Sequence, residues 1–190
     1  YKDLDFASKY VKDNVNDSVE KIIVNNEEKY EELKSVLNYV NKDYKNKLVL
    51  ENNKDVFDLY SVQSQIDKCL GRKVWLKSGG YLIIDKTEAL SVIDVNTGKF
   101  TGNSNLEETV YKTNIEAAKE ISRLLRIRDM AGIIIVDFID MQKSEYKKNL
   151  IDILSKETLK DKRKTNVMGI TKLGLVEIAR RREKDSIDSY

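Results

Sequence analysis

The stretch SGGYLIIDKTEALSVIDVNTGKF at residues 78–100, followed by GIIIVDFIDM at 132–141, holds two apolar runs that each deliver a carboxylate, Asp94 and Asp137. A hydrophobic strand that ends in aspartate needs a cap, a charge partner or a metal for that group. Asn96 lies two residues beyond Asp94. Strand side chains repeat with period two, so the pattern predicts both on one face. Two carboxylates and an amide at one sheet edge suit a hard divalent cation such as Mg²⁺. A turn cap or an ion pair would use the same aspartates, and the residues alone leave these readings open.

Between the two runs, Ser104 and Glu107 have capping-box spacing, which predicts a helix from Asn105 to about Arg128. Its inner side is Leu106, Val110, Ile115, Ala118, Ile121, Leu124 and Leu125. Ala131-Gly132 ends it and opens Ile133 to Val136, a β-branched run suited to a strand buried on both faces. Strand, helix and strand at this length predict a βαβ crossover with parallel strands. Both aspartates then stand at strand carboxyl ends, where ligands of such sheets gather.

Working outward, Ser78-Gly79-Gly80 predicts a tight turn between Lys73–Leu76 and Tyr81–Ile84. No helix signature follows it, so it is not read as a phosphate loop. Trp75 and Tyr81 are read as core or rim packing before base stacking. Upstream, helical stripes cover residues 1–16, Glu27–Val40 and Asp55–Leu70. In the last of these Asp55 is the cap and Val56, Phe57, Tyr60 and Ile66 face inward. Short strands are predicted at Lys21–Val24 and Lys47–Leu50. Downstream come a helix from Ser144 to about Lys160, a strand at Val167–Ile170 and a last helix from Leu175 to about Glu183. The fold class is mixed α/β, with a subdomain boundary near residues 69–72.

Composition narrows the chemistry. The 190 residues include 34 basic and 32 acidic side chains, so bulk charge does not select a nucleic-acid partner. Histidine is absent, which excludes serine–histidine triads and histidine acid–base catalysis. The single cysteine, Cys69, founds neither an internal disulfide nor a zinc site. No apolar run approaches the roughly 20 residues of a membrane span, and no secretory signal opens the chain. The expected setting is cytoplasmic.

SGGYLIIDKTEALSVIDVNTG, NLEETVYKTNIEAAKEISRLLRIRDMAGIIIVDFIDM and GITKLGLVEIARRR, in this order, resemble the ribonuclease E/G family of bacterial endoribonucleases. The resemblance is strongest over residues 63–183. It implies that residues 70–190 form a deoxyribonuclease I-like catalytic subdomain with helices around a central sheet. Residues 1–69 would be part of a ribonuclease H-like structural subdomain packed on it. It further implies Asp94 and Asp137 as metal ligands, with Asn96 as the accompanying catalytic residue. The implied reaction is Mg²⁺-dependent hydrolysis of single-stranded RNA, with Mn²⁺ as a possible substitute, leaving a 5′-phosphate and a 3′-hydroxyl.

The family's upstream oligonucleotide-binding domain, its downstream zinc-sharing cysteine pair and its dimerisation domain have no counterpart here. The expectation is therefore a catalytic-core fragment of a longer homo-oligomeric enzyme, without the inter-subunit zinc. A non-catalytic RNA-binding or assembly scaffold is the alternative. Lys112 and Asn114 are candidate RNA contacts, as are Arg123, Arg126 and Arg128 at the end of the long helix, where basic residues also suit the macrodipole. Lys164 falls where the family has a basic residue near the 5′-phosphate. Arg180, Arg181 and Arg182 read as a solvated charge run. Asp140 and Glu88 read as structural or turn residues.

Overall fold

The computed structural model describes residues 4–52, 55–98 and 106–182. The chain divides into two compact units, residues 1–66 and 67–190, and the division falls inside a helix.

In the first unit, α1 (Phe6–Asn14) starts at Asp5, whose carboxylate accepts the Ser8 N–H at 2.8 Å. After β1 (Ile22–Val24), α2 (Glu27–Val40) is capped by Asn26, which accepts the Lys29 N–H. A 3₁₀ segment, Lys42–Lys47, leads to β2 (Leu48–Leu50), paired parallel with β1. Leu33, Leu37 and Leu48 make a small core. The single helix expected over 55–70 is two: α3 (Val56–Leu59) and α4 (Val62–Leu70), separated by Ser61 at φ +52°. Asp55 caps α3 as expected. The break resets the helical phase, so Phe57 and Tyr60, expected to face inward, are exposed.

The second unit is built on a six-stranded sheet. Its strands are β3 (Lys73–Trp75), β4 (Tyr81–Lys86), β5 (Leu90–Asn96), β6 (Gly132–Asp137), β7 (Thr165–Ile170) and β8 (Val176–Arg180), in the order β3-β4-β5-β6-β8-β7. Only β5 and β6 pair parallel; every other pair in this sheet is antiparallel. The parallel pair is joined by α5 (Leu106–Ile127), the predicted crossover. The cap expected at Ser104 lies outside the described residues. α6 (Ser144–Thr158) packs beside α5.

Alternation decides the two faces of this sheet. Leu82, Ile84, Ile93, Val95, Ile134, Val136, Val176 and Ile178 are buried with the inner stripe of α5. Their strand neighbours look the other way, and Ile133 is 55% exposed. The β-branched run of β6 is therefore covered on one face, not two as its composition suggested. β-branched residues favour the strand itself, whichever side is packed.

The helix expected from Leu175 is instead strand β8. Val176, Ile178 and Arg180 are buried and alternate with Glu177 and Ala179, a period of two. Gly174 at φ +86° helps turn the chain back from β7. Arg180 is correspondingly not part of a solvated run. It donates to Asp161 at 2.7 Å through Nε, and to Asp129 at 3.0 Å and the Met130 carbonyl at 2.8 Å through Nη1. Arg181 and Arg182 are exposed.

Candidate functional site

β5 and β6 run parallel in a register that sets Asp94 directly opposite Asp137. Partners in register share a face, and adjacent strands lie about 4.8 Å apart. Both side chains are exposed on the open face of the sheet. Asn96 sits on the same face and donates from Nδ2 to Asp94 Oδ2 at 2.7 Å. One carboxylate oxygen of Asp94 is thus held by the amide, while Oδ1 is left for another partner.

The long helix α5 holds the segments on either side of this pair. Asn114 is fully buried, and its amide makes two bonds to one residue. Nδ2 donates to the Ile139 carbonyl at 2.7 Å, and Oδ1 accepts the Ile139 N–H at 3.1 Å. That clamp fixes the chain two residues beyond Asp137. Glu107 accepts the Lys143 N–H at 2.8 Å, and Glu116 accepts the Lys77 N–H at 2.6 Å. The turn that Glu116 holds then supports the end of β5. Gly80 packs under the Asn96 carbonyl, where a Cβ would come within 2.7 Å. Gly98, at φ +67°, lies so close to the Gly79 carbonyl that a side chain would collide with it.

Asn114 therefore corrects an expectation: it is a positioning residue and not an RNA contact, because neither polar atom is free or accessible. The signal was in the sequence, since Asn114 falls four residues from both Val110 and Ala118 on the inner stripe. Asn114→Leu is expected to cost about 1–3 kcal/mol, the penalty of leaving backbone polar groups unpaired. Urea unfolding of the two proteins measures it, and equal midpoints would remove the clamp from the account.

The remaining candidates disperse. Lys112, in the second turn of α5, is exposed and ion-paired with Glu108 at 2.8 Å. Arg123 lies 17 positions beyond Leu106, roughly 25 Å along the helix axis. It donates to Glu120, at 2.6 Å from Nη2, and to Cys69 Sγ at 3.2 Å. Arg126 donates to the Ser122 carbonyl. Arg128 is 4% exposed and donates to the Gly71 carbonyl, so burial removes it from the RNA-contact set. Lys164 is exposed and precedes β7, whose first residue aligns through Arg180 with Gly132. Arg126, Arg128 and Lys164 belong to the end of the sheet opposite the aspartates, whereas Arg123 lies against the β3 edge beside Trp75 and Lys77. Glu88 is likewise remote, at the start of β5, and Asp140 is exposed just past the Asn114 clamp.

Among the described residues no three histidine, cysteine or acidic side chains converge as a metal cluster. The donor set is two carboxylates and one amide. Mg²⁺ fits such a set, because it is usually bound by one or two carboxylates and completes its shell with water and substrate phosphate.

The model of the Ribonuclease E/G family matches residues 1–183. Ribonuclease G of Haemophilus influenzae is 44% identical over 179 residues, covering 94% of this chain and 36% of that protein. Ribonuclease G of Escherichia coli K12 is 41% identical over 189 residues, 99% of this chain and 39% of that protein. Ribonuclease E of a Nostoc species is 36% identical over 190 residues, 98% of this chain and 28% of that protein. The chain thus spans little more than a third of the length of these Ribonuclease G relatives. No helix among the described residues is long and apolar enough to cross a membrane.

Proposed function

This chain belongs to the Ribonuclease E/G family, and from that premise we propose that it is the catalytic core of a Mg²⁺-dependent endoribonuclease acting on single-stranded RNA. In this reading residues 70–190 are the deoxyribonuclease I-like catalytic subdomain and 1–69 the partial ribonuclease H-like one. The enzyme works in the cytoplasm, as a homo-oligomer when full length. One observation carries the reading: Asp94 and Asp137 stand opposite each other on an open sheet face, with Asn96 bonded to the first.

Asp94 and Asp137 would hold Mg²⁺ here, and the ion would supply Lewis-acid stabilisation of the charge that builds on a phosphodiester during hydrolysis. Asp94 would contribute one carboxylate, oriented by the hydrogen bond that its Oδ2 accepts from Asn96. Asp137 contributes the second carboxylate. The side-chain Oδ1 of Asn96, which accepts no hydrogen bond among the described residues, would accept one from the attacking water and so orient it. Addition of that water to phosphorus breaks the P–O3′ bond. The downstream fragment keeps the 5′-phosphate, and the leaving oxygen takes up a proton to become the 3′-hydroxyl. With no histidine in the chain, the proton lost from water passes to a carboxylate or to solvent.

A Mn²⁺ titration of the 190-residue chain, followed by amide NMR, tests the seat directly. Paramagnetic broadening is expected to centre on Asp94, Asn96 and Asp137. Broadening elsewhere, or none, would overturn the metal assignment. A binding-only role for the isolated chain is the second reading, favoured by its span of about a third of its relatives. Mg²⁺-dependent cleavage of single-stranded RNA by the chain alone would eliminate it.

A further inference from the structure

The register that pairs the aspartates extends across the open face in two rows. Lys73, Ile83, Asp94 and Asp137 align as successive partners through β3, β4, β5 and β6. Next to them, Trp75, Tyr81 and Asn96 form a second row. At about 4.8 Å per strand, Tyr81 is one strand and Trp75 two strands from Asn96, about 5 and 10 Å away. Lys73, Trp75, Tyr81 and Asn96, with Ser78, Gly79, Thr97 and Gly98, line an open cleft of about 620 Å³. That volume falls in the range of small-molecule sites.

Three features make this more than rim packing. Trp75 is 63% exposed, although burying a tryptophan is among the larger single gains a fold can make. Its ring meets Tyr81 edge-on, with centroids 5.3 Å apart, so the pair forms a corner with ring surface left open. Lys73 Nζ lies 4.0 Å from the Trp75 centroid and 3.7 Å from that of Tyr81. A cation–π contact holds that ammonium over the rings without neutralising it. Among the described residues it makes no ion pair with a carboxylate. The cluster therefore joins exposed aromatic surface to an uncompensated positive charge, beside the proposed metal seat.

We propose that Lys73, Trp75 and Tyr81 form a subsite for one nucleobase of single-stranded RNA next to the scissile phosphate, the base stacking on the rings and its phosphate meeting the Lys73 ammonium. The proposal rests on the RNA-cleaving reading of Asp94 and Asp137. Stacking on aromatic rings is sequence-tolerant because every base has a π-face. The hydrogen-bonding groups beside the rings, Asn96, Thr97 and Ser78, then bias the choice of base.

Trp75 is the only tryptophan in the chain, so tryptophan emission reports on this side chain alone. The test titrates the 190-residue chain, in EDTA to prevent cleavage, with a ten-nucleotide single-stranded RNA and with an abasic ribose-phosphate oligomer of the same length. Saturable quenching by the RNA, and little by the abasic oligomer, is expected. Trp75→Leu should weaken binding of a dye-labelled RNA by about 5- to 150-fold, the range for loss of one base stack. Lys73→Gln should weaken binding and lower the slope of affinity against salt by about one ion. Absent quenching, or equal quenching by the abasic oligomer, would overturn the subsite. Asp94→Asn should leave the quenching intact. RNA cleavage that needs Asp94 but leaves Trp75 emission unchanged would sink the subsite alone. Quenching in a protein whose cleavage is indifferent to Asp94 would sink the catalytic reading alone.

Discussion

On the proposed RNA-cleaving reading, Asp94→Asn and Asp137→Asn are each expected to lower cleavage of single-stranded RNA by on the order of a thousandfold or more. A metal ion contributes several kcal/mol of transition-state charge stabilisation, and each 1.4 kcal/mol is a factor of ten. Asparagine keeps the shape of aspartate and loses the charge that holds the cation. Stability supplies the contrasting readout. Both carboxylates are exposed, and the register sets them opposite each other. Without metal they repel, so neutralising one should leave stability unchanged or slightly raised. An aspartate serving as a cap or ion-pair partner would show the opposite sign. Mg²⁺ should raise the melting temperature of the parent protein and not that of the variants, since only the parent binds it in the folded state. Undiminished cleavage in either variant would refute the assignment.

The juxtaposition of Asp94 and Asp137 was readable in sequence because its logic is local and periodic. The apolar runs of β5 and β6, the 3.6-residue stripe of α5 and the crossover rule together set the two aspartates side by side. Asn96 followed from a period of two. What sequence misjudged were residues whose role depends on distant partners. Asn114 sits on the buried stripe, yet only the fold reveals that it clamps Ile139, 25 positions away. Arg128 and Arg180 look like surface charge, and both are buried because carbonyls or carboxylates from other segments receive them. Glu107 reads in sequence only as part of a capping box and Glu116 carries no signal at all, since carboxylates that accept N–H groups of distant segments leave no pattern in their own.

The strand β8 was misread for a different reason. Leu175, Val176, Ile178 and Ala179 satisfy helical and extended spacing almost equally over so short a run. The sheet decided the matter, because β8 fills the place between β6 and β7 and pairs with both. One open face was equally illegible. A β-branched run reports strand preference, and it does not count how many faces are covered.

Arg180→Met is expected to destabilise the second unit by about 3–5 kcal/mol, the usual cost of removing one partner from a buried ion pair. The side chain of Arg180 is 3% exposed and that of its partner Asp161 6%, and the same guanidinium reaches Asp129 and the Met130 carbonyl. Methionine fills much of the volume but leaves Asp161 charged and desolvated. Burial pushes the Asp161 carboxyl up, but hydrogen bonds from Arg180 and the Arg163 N–H, with the Arg180 charge, outweigh it and hold the group below its ordinary value of 3.8. A carboxyl depressed in the folded state stabilises fully above its unfolded pKa, and the contribution is lost as pH falls through the folded value. In the parent protein that loss begins below about pH 4. In Arg180→Met the sign reverses. Burial acts unopposed by the guanidinium, the Asp161 pKa rises, and protonation relieves the orphaned charge. Urea unfolding at several pH values should therefore show the deficit of Arg180→Met at its largest near neutrality and shrinking in acid. Adding Asp161→Asn should restore part of the lost stability at pH 7, because it removes the stranded charge. A deficit that stays constant with pH would mean that packing, and not the ion pair, sets the cost.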